Sequence, residues 1–87
     1  MVSLKKKVTI KNKQGLHARP AALFVQLANK FDSNITVRKG KETVNGKSIM
    51  GILMLAANKG SKVIIEASGD DAQEALSDLE ALVSKDE

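Results

Sequence analysis

Along this chain the spacing of apolar residues switches between two and about 3.6. The order of those switches constrains the fold more than any other feature. Val8-Thr9-Ile10-Lys11 alternates apolar and polar, which predicts a strand, and Asn12 to Gly15 is a polar loop. From Ala18 the period is helical. At about 100° per residue, Ala21, Phe24, Ala28 and Phe31 share one face and Arg19, Gln26 and Lys30 the other. Leu23 falls beside the polar face, either packed at the helix margin or left accessible to a partner. Asp32-Ser33-Asn34 is a turn. Ile35-Thr36-Val37-Arg38, the tight turn Lys39-Gly40-Lys41 and Glu42-Thr43-Val44 then make a hairpin. Ser48 to Asn58 predicts a short helix stopped by Lys59-Gly60, with Ile52, Leu55 and Ala56 toward the core. Val63-Ile64-Ile65-Glu66-Ala67 is nearly continuously apolar, as a central strand is. Gly69-Asp70-Asp71 opens the last helix. Asp71 and Glu74 have capping-box spacing, and Ala72, Ala75, Leu76, Leu79, Leu82 and Val83 form its stripe.

The resulting order, β-α-β-β-α-β-α, predicts an α+β domain with helices on one side of a mostly antiparallel sheet. The 87 residues hold one domain with one core, spanning 1–87. Phe24 and Phe31 are the only aromatics, so that core is aliphatic. The absence of cysteine excludes disulfides, thiolate zinc sites and cysteine nucleophiles. The longest apolar run, Ile49 to Ala57, falls short of the ~20 residues of a membrane span. No apolar stretch follows Lys5, Lys6 and Lys7, so they do not open a signal peptide. A cytoplasmic protein is expected, with no membrane association and no cofactor. The net charge of +4 raises nucleic acid as a partner. The stacking aromatics of RNA-binding sheets and the G-x-x-G loop of KH domains are missing, so no nucleic-acid binding is expected. The tail Lys85-Asp86-Glu87 reads as frayed.

One histidine and one proline, His17 and Pro20, lie in the same short stretch, "GLHARPAA", from Gly15 to Ala22. Proline is tolerated in the first turn of a helix, where its missing N–H costs little. With Ala18 first in the helix, His17 is the N-cap, a place where Ser, Thr, Asp or Asn would serve stability better. The free N–H groups of Ala18 and Arg19 and the positive end of the helix dipole make an anion site there. The Arg19 guanidinium suits phosphate oxygens. A neutral imidazole is a nucleophile. On these residues alone His17 is either a phosphate acceptor or a solvated histidine at a helix start. A lone histidine supplies too few ligands for a metal.

Ser48 is a good N-cap for the short helix, and a phosphate there would also meet free helix N–H groups. Ile49, Met50 and Leu53 lie on a different face of that helix from Ile52 and Leu55. They are either ordinary exposed apolar surface or the centre of a docking patch rimmed by cations such as Arg19 and Lys47. "GKETVNGKS" approaches a Walker A loop. It has five residues between Gly40 and Gly46 instead of four and crosses a hairpin strand, so it is discarded.

"GLHARPAA" and "VNGKSIMGIL" (Val44 to Leu53) together resemble the two motifs of the HPr family, the histidine-containing phosphocarriers of the sugar phosphotransferase system. The resemblance runs the length of the chain. It implies an open-faced β-sandwich: a four-stranded antiparallel sheet with three helices on one face. It implies a phosphocarrier, not an enzyme. Enzyme I, phosphorylated from phosphoenolpyruvate, would transfer to His17 at Nδ1, with Ala18 and Arg19 steadying the phosphoryl group. IIA domains of sugar permeases would receive it. Leu23, Lys47, Ile49, Met50 and Leu53 would meet these partners, and the chain would be a monomer. In some members a serine at the position of Ser48 is phosphorylated by HPr kinase/phosphorylase, which lowers acceptance from enzyme I and allows corepression with the catabolite-control repressor CcpA. The alternative is a mainly regulatory protein acting through Ser48 in carbon or nitrogen control. The regulatory paralogue Crh lacks the active-site histidine, so His17 argues against that form. The chain departs from many relatives in Ala56-Ala57, where a glycine is common, in Met54, and in its N-terminal lysines. Alanine for glycine is expected to stiffen the end of the second helix.

Overall fold

The computed structural model describes residues 2–85. Its elements are β1 (Ser3–Thr9), α1 (Ala18–Ala28), β2 (Asn34–Lys39), β3 (Glu42–Asn45), α2 (Ile49–Leu55), β4 (Lys62–Ser68) and α3 (Ala72–Val83). The strands form one antiparallel sheet in the order β1-β4-β2-β3. The expected order and the open sheet with three helices are therefore what the chain adopts.

The core lies between sheet and helices and is aliphatic apart from the phenylalanines. Val37, Val63 and Ile65 from the central strands meet Ala21 and Phe24 of α1, Ile52 and Leu55 of α2, and Ala72, Leu79 and Val83 of α3. β4 sits between β1 and β2, as its apolar run predicts. Lys39 and Glu42 pair across a two-residue loop whose first residue, Gly40, has φ +60°, as tight hairpins require.

Four local expectations need correction. The first strand is Ser3–Thr9, not Val8–Lys11. Leu4 and Val8 point toward the helices, but Lys6 between them breaks the alternation and instead reaches Glu80 Oε1 at 2.9 Å. β1 is an edge strand, and charged side chains on an edge discourage pairing with another chain. The lysine run thus has a structural use. The second helix ends at Leu55, not Asn58, because Ala56 turns left-handed at φ 54°. Ala56 is consequently exposed, and Ala57 is buried in its place. Nor does Asp71 form a capping box with Glu74: it makes no side-chain cap bond. Its carboxylate accepts from the Asp32 N–H at 2.8 Å, the Ser33 N–H at 3.0 Å and the Ser33 hydroxyl, tying the start of α3 to the turn before β2. In the frayed-tail reading, Asp86 and Glu87 lie outside the described residues.

Candidate functional site

The site is built where the loop after β1 meets the connection from α2 to β4. Ala56 ends α2 and turns Ala57 and Asn58 toward that loop. The Leu16 N–H donates to the Ala57 carbonyl at 2.7 Å, and the Leu16 side chain is buried. Gly15 makes the approach possible: its φ is +66°, and a Cβ on it would lie 2.5 Å from the Ala57 oxygen. The two segments are stapled one residue before His17.

His17 has extended backbone (φ −124°, ψ 159°) and stands at the N-cap of α1 without a side-chain cap bond. Its half-buried ring is therefore free for other work. His17 Nε2 lies 2.9 Å from Asn58 Oδ1. An amide oxygen only accepts, so this contact is a hydrogen bond in the tautomer that carries the proton on Nε2. In the neutral ring this leaves the lone pair on Nδ1. Asn58 was not visible as a site residue in the sequence, where it closes a predicted helix 41 positions away. Its polar side chain at the end of that predicted helix was its only signal.

Ala18 has φ 49°, left-handed for a residue with a Cβ, so the first turn is not regular helix from its first residue. Such conformations cost of order 1–2 kcal/mol and cluster at functional sites. The Ala21 N–H reaches the His17 carbonyl only at 3.5 Å. Positions at the start of a helix have N–H groups without intrahelical partners, and Pro20 brings none. Ala18 and Arg19 hold that place here. Arg19 is exposed and lies along a groove with Pro20, Leu23, Leu82 and Lys85.

The expected patch is exposed. Leu23 of α1 and Ile49, Met50 and Leu53 of α2 all keep a large part of their surface open, as does Met54. Leu23 takes the accessible margin of its helix. Lys47 is placed differently from a free rim cation. Its Nζ donates to the Phe31 carbonyl at 2.7 Å, anchoring the turn between α1 and β2. Ser48 is the N-cap of α2, its Oγ accepting the Gly51 N–H at 3.1 Å. No cluster of metal-ligating side chains occurs among the described residues. No helix among them is long and apolar enough to cross a membrane.

An open antiparallel sheet backed by three helices, with one imidazole held at a helix start, defines the class of small domains to which this chain is assigned. The family model described as the PTS HPr component phosphorylation site matches residues 4–85, and the chain belongs to that phosphocarrier family. It is 48% identical over 83 residues to the HPr-like protein Crh of Bacillus subtilis, covering 95% of this chain and 98% of that one. Its fold is similar to the crystal structure of phosphocarrier protein HPr from Bacillus anthracis. The TM-score is 0.94, at 50% identity, over 97% of this chain and 100% of the other. The crystal structure of Bacillus subtilis Crh, described as a domain-swapped dimer, matches with a TM-score of 0.77 at 49% identity. It covers 93% of each chain.

Proposed function

We propose that the chain relays a phosphoryl group through His17 Nδ1, from phosphorylated enzyme I to IIA domains of sugar permeases. The observation that supports this reading is the 2.9 Å contact of Nε2 with Asn58 Oδ1: with the ring proton on Nε2, the free lone pair is on Nδ1. The Nδ1 lone pair attacks phosphorus. A new P–N bond forms as the bond from phosphorus to enzyme I breaks, its electron pair leaving with enzyme I. Nε2 keeps its proton throughout, so no proton has to move, and the phosphorylated ring is cationic beside an anionic phosphoryl group. The N–H groups of Ala18 and Arg19 and the Arg19 guanidinium steady that group. The reverse step hands it to an acceptor. The chain turns over nothing alone. Leu23, Ile49, Met50 and Leu53 form the apolar centre against which enzyme I and the IIA domains dock.

Phosphorylation of Ser48 is the regulatory step in this reading. It places about −1.5 to −2 charges at pH 7 beside Ile49 and Met50, which weakens docking of enzyme I. HPr kinase/phosphorylase and CcpA are the corresponding partners. The similarity to Crh favours a regulatory role alongside the relay, and His17 keeps the relay itself available. The working form in this reading is a monomer. Sedimentation equilibrium checks this, and the swapped assembly described for Crh is the contrary outcome.

The test is intact mass after incubation with enzyme I, magnesium and phosphoenolpyruvate, before and after mild acid. One added phosphoryl group is expected, acid-labile and absent from His17→Ala. An unchanged level in His17→Ala rules out His17 as the acceptor.

A further inference from the structure

The groove beside the start of α1 shares Arg19 and Leu23 with the relay and continues past them to Asn12, Leu82 and Lys85, which the relay does not use. It encloses about 340 Å³ between the loop before α1, the first turns of α1 and the end of α3. That volume suits a small molecule. Three kinds of chemistry meet in it. Arg19 and Lys85 bring two positive charges, and among the described residues neither makes an ion pair. Pro20, Leu23 and Leu82 give an apolar wall. Asn12 lines the same groove, is 8% exposed, and has a buried Oδ1 that no donor among the described residues reaches.

A buried amide oxygen without a donor is uncommon in a folded protein. The Asn12 main chain is fixed, its carbonyl accepting the Gly15 N–H at 3.1 Å, while its Oδ1 has no partner among the described residues. The terminal torsion of asparagine is soft, so the amide can turn its oxygen to the groove. There it would need a donor such as a hydroxyl. The paired cations match a doubly charged group better than a carboxylate, and a guanidinium binds phosphate oxygens in a fork.

We infer that this groove binds the phosphate monoester of a small hydroxylated molecule. The phosphate lies between Arg19 and Lys85, the carbon skeleton lies against Leu23 and Leu82, and a hydroxyl donates to Asn12 Oδ1. Occupancy draws the Arg19 side chain away from His17 and slows phosphoryl acceptance. This consequence rests on the relay reading; binding does not.

The experiment uses the full-length, ¹⁵N-labelled chain and follows amide shifts on titration with glycerol 3-phosphate, inorganic phosphate and glycerol separately. Saturable shifts are expected at the Asn12 side-chain amide, Leu23 and Leu82. Glycerol 3-phosphate is expected to bind at least about tenfold more tightly than either fragment. Lys85→Gln, an exposed substitution, and Asn12→Ala should each weaken it by about tenfold, with the rest of the spectrum in place to show that the chain is folded. Equal affinity for inorganic phosphate would reduce the groove to a simple anion site and overturn the inference. So would shifts confined to the lysines of the sheet, or no saturation at all. In the transfer assay the ester should slow labelling of His17 in the natural chain but not in Lys85→Gln. Saturable binding with an unchanged rate would overturn the regulatory consequence. A chain that binds the ester yet never labels at His17 would instead refute the relay.

Discussion

At the scale of single residues, two alanines hold left-handed backbone, Ala18 at φ 49° and Ala56 at φ 54°. Ala18 orients the turn that follows His17. Ala56 ends α2 in that conformation, so alanine strains the helix end, where the sequence suggested it would stiffen it. The left-handed form costs roughly 1–2 kcal/mol with a Cβ. Part of that is offset because glycine also gains freedom in the unfolded chain. Ala56→Gly is therefore expected to raise stability by about 0.5–1 kcal/mol, read as a higher urea midpoint with unchanged slope. A lower midpoint would show that the helix end is not strained. Neither torsion was legible in the sequence, because alanine carries no turn signal. The placement of His17, Arg19 and Ser48 at helix starts was legible from the residue types and the period around them. Asn58 was not, because only the fold brings it to the ring.

At the scale of elements, α2 is the most dependent on its surroundings. It has seven residues, too few to persist alone. Burial of Ile52 and Leu55 and the Ser48 cap hold it in place. Removing the cap in Ser48→Ala should cost about 1 kcal/mol in urea denaturation while leaving phosphoryl acceptance intact. Ser48→Asp retains a capping oxygen, so the fold persists, but its charge beside Ile49 and Met50 should slow transfer from enzyme I. An unchanged rate in Ser48→Asp would place the docking surface elsewhere. Strand and helix identity followed from hydrophobic period throughout the chain. Their ends did not, where one side chain decided the matter. Lys6 sits inside β1 because an edge strand tolerates a charge that reaches Glu80. Lys47, expected at the rim of the patch, spends its ammonium on the Phe31 carbonyl.

At the scale of the whole molecule, Asp71 joins elements that the sequence keeps far apart. Hydrogen bonding from the Ser33 hydroxyl, and then from the Asp32 N–H, holds its carboxyl below the ordinary value of 3.8. A carboxyl depressed in the folded state stabilises the fold fully above its unfolded value. That contribution is lost as pH falls through the lower folded value. The urea midpoint of the natural chain should thus drop on acidification below about pH 4, and more steeply than that of Asp71→Asn. The variant should already be weaker at neutral pH. Parallel pH profiles would mean that the carboxylate adds nothing to the link between α3 and the turn before β2. The sequence offered only the helix-start reading of Asp71, because its actual partners are 38 and 39 positions away.

The proposed relay depends on Asn58 fixing the ring of His17 so that Nδ1 is the atom that takes the phosphoryl group. Its most direct test is the ¹⁵N spectrum of the His17 ring, recorded with the ring neutral and again after phosphorylation by enzyme I. The proton is expected on Nε2 before transfer and phosphorus on Nδ1 after it. A proton on Nδ1 in the free chain, or phosphorus on Nε2, would contradict this assignment.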